Sequence, residues 1–166
     1  MSFQVGDLVV LPTHGVGRIV KIAERNFSGV EARRYYEVET AKSTIWVPIE
    51  TQEATGMRGL TVRSALAQHH SLLKNRPVPL NKDRRQRHLD LIQRLKQGSF
   101  SGLCEVVRDL TAFGWGKPLN EVDAASLRQA RENLCEEWAA VEEMPLDEVN
   151  RKLEALLLEG RQAFQA

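Results

Sequence analysis

Between residues 1 and 60 the apolar positions fall in short runs rich in β-branched and aromatic side chains: 7–11 (DLVVL), 17–23 (GRIVKIA), 33–38 (RRYYEV) and 43–49 (STIWVPI). Pro12, the Gly15/Gly17 pair, the Ser28–Gly29 dipeptide and the polar stretch 40–42 separate them. Such runs predict strands joined by tight turns. Strands this short and regularly spaced are best closed into a small antiparallel barrel, because closure removes exposed edges. Gly15 and Gly17 fit a sharp turn needing positive φ. Neither GK[ST] nor GxGxxG surrounds them, so a phosphate loop is a weak reading.

From residue 61 the period changes to that of a helix. Val62, Leu66, His69/His70 and Leu73 predict a first helix through Lys74. Pro77 and Pro79 interrupt it, and 75–81 reads as a short, proline-stiffened connection between two domains. Residues 82–97 form the next helix, closed by Gly98, with His88, Leu91, Ile92 and Leu95 as its apolar face. His88 then reads as a packed core histidine, while Arg87 and Arg94 share a different side, open to solvent or phosphate. Residues 101–112 follow, with Leu103, Val106, Val107 and Leu110 inward. A loop at 113–119 leads to an N-cap at Asn120 and a helix to about Val141, whose buried stripe is Leu127, Ala130, Leu134, Trp138 and Val141. Pro145 breaks the chain before a last helix over 146–164, with Val149, Leu153, Leu156 and Leu157 inward. The architecture expected is α+β: a barrel at 1–60 with the following helix 61–74, a linker at 75–81, and an all-α bundle of four helices at 82–166.

Charge sharpens this picture. The chain is close to neutral, at +1, but residues 61–96 carry nine cations against two anions, a net +7. Residues 1–60 carry seven of each sign, and 97–166 carry seven cations against thirteen anions. A segregated positive field suits a polyanion better than a small substrate, although a basic helix can also be merely a solvated face. Glu136, Glu137, Glu142 and Glu143 read as the solvated face of the bundle, not as a catalytic carboxylate pair. Cys104 and Cys135 read as buried free thiols, and the four histidines lack acidic or thiol partners at ligand spacing. No nucleophile–base pair, metal set or cofactor motif is present, so neither an enzyme nor a cofactor is expected. No apolar run nears the ~20 residues of a membrane span, and MSFQVGD lacks a signal pattern. The expected setting is the cytoplasm, without a membrane partner, and the expected state is a monomer.

The pattern Phe3-x-x-Gly6-Asp7-x-Val9-Val10-x-Pro12-x-His14-Gly15-x-Gly17, then Tyr35-Tyr36-x-Val38 and Val47-Pro48, resembles the CarD/CdnL family of bacterial transcription regulators. Transcription-repair coupling factors share that N-terminal module. The resemblance continues through Pro79-Leu80-x-Lys82, Arg87-His88 and the run from Glu105 to Leu110. It implies a Tudor-like barrel that binds the β subunit of RNA polymerase. It also implies a helical domain that contacts promoter DNA at the upstream edge of the melted region and stabilises the open complex. On the barrel it points to Arg25 and Phe27, and to Trp46, where relatives commonly carry a basic residue. Trp46 reads equally as an interface anchor and as a side chain packed into the barrel or against the adjoining helix. On the helical domain the expected DNA contacts are Lys82, Arg84, Arg85, Arg87 and Arg94. Family members carry a wedge tryptophan at the start of this helix, and alignment on the flanking motifs puts Arg84 at that place. A guanidinium can enter a narrow minor groove or bind phosphate but stacks less extensively than an indole. The alternative is a polymerase-binding adaptor, or a competitor of a wedge-bearing paralogue, with little or no DNA binding.

Overall fold

The computed structural model describes residues 2–26, 29 and 31–165, and the chain divides into two compact units, Met1–Leu60 and Thr61–Ala166. The first is an antiparallel sheet of β1 (Leu8–Leu11), β2 (Gly15–Arg25), β3 (Arg33–Thr40), β4 (Thr44–Pro48) and β5 (Arg58–Gly59), in the order β4-β3-β2-β1-β5. The four expected strands are present. The expected closure is not: β4 and β5 are the two edges of an open sheet among the described residues. One edge is only two residues long and the other ends in Pro48, both devices that blunt edge pairing. Too short to show an alternating pattern, β5 pairs with Val9 and Val10.

One face of this sheet is the core. Ile19, Tyr36, Val38 and Val47 are buried with Val9, Leu11 and Met57. Tyr36 keeps its hydroxyl bonded, accepting the Phe3 amide at 3.1 Å while the two rings meet edge-on. A bulge between Ile19 and Lys21 lets Ile19 and Ile22, three apart, pair opposite the core residues Val38 and Tyr36. The two glycines work differently. Gly15 takes φ +84, as the turn requires, but Gly17 is needed for space: a Cβ there would lie 2.5 Å from Val38 Cγ1.

The second unit holds α1 (Leu66–Leu72), α2 (Arg84–Gln97), α3 (Phe100–Phe113), α4 (Glu121–Glu142) and α5 (Leu146–Phe164). Its hydrophobic core takes Leu66 and Leu73 from α1 and its end, Leu91 from α2, Leu103, Val106, Val107 and Leu110 from α3, and the α4 and α5 stripes. Helix starts follow from capping. The side chains of Asp83, Ser99 and Asn120 accept the amides of Arg85, Gly102 and Asp123. Gly98 closes α2 in the left-handed conformation, φ 72. At the end of α4 that conformation falls to a non-glycine, Glu143, at φ 51.

Three expectations change here. Helix α1 belongs with the bundle, since Leu66 and Leu73 are buried in the bundle core, and the division between units falls at Leu60/Thr61. Segment 75–81 lies inside the second unit: Leu80 packs on the core and the Val78 amide donates to Asp109 Oδ1 at 2.9 Å. Glu137 is not on a solvated face but fully buried, its Oε2 accepting the Thr61 amide at 2.9 Å and the Thr61 hydroxyl at 2.7 Å.

Candidate functional site

The basic helix packs with a different face from the one its leucines suggest. Arg87 and Leu91 are buried, His88, Arg94 and Leu95 are half-buried, and Ile92 is 39% exposed. Arg87 is therefore not open to phosphate. Its guanidinium donates from Nε and Nη2 to Asp123 Oδ2, at 3.1 and 2.8 Å, and both side chains are almost wholly buried. From Nη1 it donates to the carbonyls of Asn81 and Lys82, at 3.0 and 3.2 Å, and its carbon lies 4.7 Å from the Phe113 ring centroid. A guanidinium enters a protein interior only when its donors are matched, and here four hydrogen bonds and an aromatic face match them.

Arg94 is likewise drawn inward. It donates to Asp109 Oδ2 at 3.0 Å and lies 4.0 Å from Glu105. Asp109 has no exposed side-chain surface; it also accepts Arg108 Nε at 2.9 Å and the Val78 amide. Arg63 and Lys74 pair with Glu142 and Glu159. Thus four of the nine cations of 61–96 are answered by acids that come later in the chain. Lys82, Arg84 and Arg85 are exposed and make no ion pair among the described residues. They are clustered at the N-terminal end of α2, where the Arg87 clamp on the Asn81 and Lys82 carbonyls fixes the backbone.

The loop between α3 and α4 borders the same cations, a placement the sequence reading did not foresee. Lys82, Arg84 and Lys117 line an open groove of about 560 Å³ with Phe113. A second groove of about 470 Å³ shares Lys82 and Phe113 and adds Arg76, Trp115 and Phe164. Beyond the cations of the helix start, the signal in the sequence for this lining was an aromatic pair, Phe113 and Trp115, set among glycines where a solvent loop would be polar.

On the sheet, two of the three residues expected to meet the polymerase come together. The Arg25 guanidinium carbon sits 4.3 Å from the Trp46 ring centroid. Register explains this. Trp46 pairs with Glu37 and Glu37 with Lys21, while core residues Val47, Tyr36 and Ile22 form the next row and point to the other face. Trp46 therefore lies on the face opposite the core, half-buried on edge strand β4, and does not pack into the sheet interior. The third residue, Phe27, and Ser28 of the expected turn lie outside the described residues.

Residues 3–61 match the family model for the CarD-like/TRCF RID domain, and residues 69–154 match that for the CarD C-terminal domain. The chain belongs to the CarD-like family. A relative from Bacillus subtilis (strain 168), named "Putative transcription factor YdeB", is 30% identical over 145 residues, covering 84% of this chain and 92% of the relative. This CarD-like protein thus carries both modules of a transcription factor family. Among the described residues no helix is long and apolar enough to cross a membrane. No group of three or more His, Cys, Asp and Glu side chains there could hold a metal ion.

Proposed function

We propose that this CarD-like protein regulates transcription by binding the β subunit of RNA polymerase through its sheet and promoter DNA through its helical unit. The DNA contact is assigned near the upstream edge of the transcription bubble, where it modulates open-complex stability. The observation that carries the reading is the cluster of Lys82, Arg84 and Arg85, exposed and without acidic partners among the described residues, in a chain that matches both family modules. Three such cations on a fixed helix start suit phosphate oxygens, which position a protein on DNA without reading sequence. Arg25 and Trp46 supply the polymerase contact: an aromatic ring and a guanidinium, the residue types that dominate protein interfaces, stacked on one exposed face.

A second reading draws on the sequestration of Arg87 and Arg94. With two expected phosphate ligands held by Asp123 and Asp109, the protein serves as a polymerase-bound adaptor with little DNA affinity. Two experiments separate the readings. Full-length protein captures purified polymerase β subunit, and Arg25→Ala with Trp46→Ala abolishes capture; retained capture places the polymerase contact elsewhere. Promoter-fragment binding at low salt then decides between regulator and adaptor, its absence favouring the adaptor.

A further inference from the structure

The groove beside the cationic helix start is unlike a plain phosphate-binding surface. It consists of the two adjoining grooves described above, which have Lys82 and Phe113 in common. Phe113 is 37% exposed, held from within by the buried Arg87 guanidinium. Trp115 is half-buried, with its amide bonded to the Ala112 carbonyl and its own carbonyl accepting from Gln165 Nε2 at 3.5 Å. On the far side Arg76 stacks over Phe164, 4.8 Å from the ring centroid. The rim is cationic, from Arg76, Lys82, Arg84 and Lys117. The two acids lining it, Asp109 and Asp123, are buried and already neutralised by arginines.

We propose that this groove captures an unpaired nucleobase: the base stacks on Trp115 and Phe113 while its flanking phosphates lie on Lys82, Arg84 and Lys117. The inference rests on the DNA-contact reading above and deepens it by naming single-stranded DNA as the favoured form. Charge complementarity selects the ligand. Aromatic rings alone would suit any apolar group, but rings inside a cationic rim without free carboxylates suit a stacked base carrying phosphates. A paired base in duplex DNA keeps its faces covered by its neighbours, so only a melted or flipped nucleotide offers the surface these rings need. A tryptophan from the α3–α4 loop then supplies stacking next to the arginine-bearing helix start.

The test titrates the full-length chain with a labelled oligothymidine of about ten nucleotides and with a duplex of equal length. The single strand is expected to bind more tightly. Trp115→Ala weakens single-strand binding about tenfold and narrows the ratio to duplex, while Trp115→Phe restores most of it. A second readout does not depend on how Trp115→Ala folds. In a Trp46→Phe background the remaining tryptophans are Trp115 and the buried Trp138, and single-stranded DNA is expected to quench the emission. Equal affinity for both forms with no quenching overturns base capture and leaves the DNA-contact reading standing, provided Lys82→Glu and Arg84→Glu still weaken binding. No binding to either form overturns both. Trp115-dependent binding of a proline-rich peptide, with oligothymidine unbound, also overturns the proposal in favour of a protein ligand.

Discussion

Arg87 Nη2 and Asp123 Oδ2 lie 2.8 Å apart, 36 residues distant in sequence, and each side chain is 5% exposed or less. The pair joins the start of α2 to the start of α4 and, through the Asn81 and Lys82 carbonyls, fixes the chain that leads into the basic helix. Removing one partner leaves a buried charge uncompensated, at a cost of about 3–5 kcal/mol. Asp123→Ala is therefore expected to lower the urea midpoint of unfolding sharply. Arg87→Met with Asp123→Leu, which removes both charges, should recover most of that loss. A small effect from the single change would mean that the pair is solvated.

Salt dependence distinguishes the exposed cations from the sequestered ones. If Lys82, Arg84 and Arg85 touch phosphates, neutralising each reduces the slope of log K against log salt for duplex DNA by about 0.9. Arg94→Gln, with its parent guanidinium held by Asp109, is expected to leave that slope unchanged while lowering stability. A slope insensitive to the first three substitutions would place the DNA contact on another surface.

Glu143 ends α4 at φ 51, a conformation an L side chain adopts at a cost and glycine adopts freely. It is exposed, so nothing in packing opposes replacement. Glu143→Gly is expected to stabilise the fold by about 0.5–1 kcal/mol, read as a higher melting temperature.

His70 gives the fold a defined acid response. Its ring lies tilted by 32° against Trp138, centroids 3.8 Å apart, and burial lowers its pKa below the ordinary 6.5, aided by His69 and Lys152 and opposed by Glu142. A histidine held neutral when folded takes up its proton first in the unfolded chain. Its contribution is therefore present above pH 6.5 and declines as the pH falls from there toward the lowered value. His70→Phe should flatten the decline in urea midpoint between about pH 7 and pH 5.5. An undiminished decline would assign it to other groups.

The thiols should be silent. Burial pushes Cys135 up to about 11, with Glu154 and Glu136 also raising it against Arg131, and pushes Cys104 higher still. Iodoacetamide at neutral pH is expected to modify neither in the native protein and both after unfolding. Modification of the folded protein would show that its bundle opens locally.

What the sequence made legible were features decided by near neighbours. The α5 bounds, the Asn120 cap and the Gly98 stop follow from local periodicity and capping, and the structure has them where the pattern puts them. Strand β5 escaped because two residues carry no pattern. Arg87 and Glu137 were misplaced onto solvent faces, and the pairing of the half-buried Arg94 was missed, because a charge in a helical repeat reads as exposed until its partner is known. Those partners stand 36, 76 and 15 residues away. The apolar stripe of α2 was mis-set for the same reason: Arg87 and Arg94 occupy inward positions that a count of leucines gives to Ile92. At the candidate site the cations of the helix start were legible, but Phe113, Trp115 and Lys117 reach them only through the fold of the α3–α4 loop.

The same long reach governs the stretch that looks like a hinge. Pro77 and Pro79 mark 75–81 as a connector, yet between them the Val78 amide is tied to Asp109, 31 residues on, in the middle of the bundle. The connector is a strap buckled from the far side. The carboxylate that holds it also accepts Arg94 from α2 and Arg108 from α3, so the strap and two helices share a single anchor.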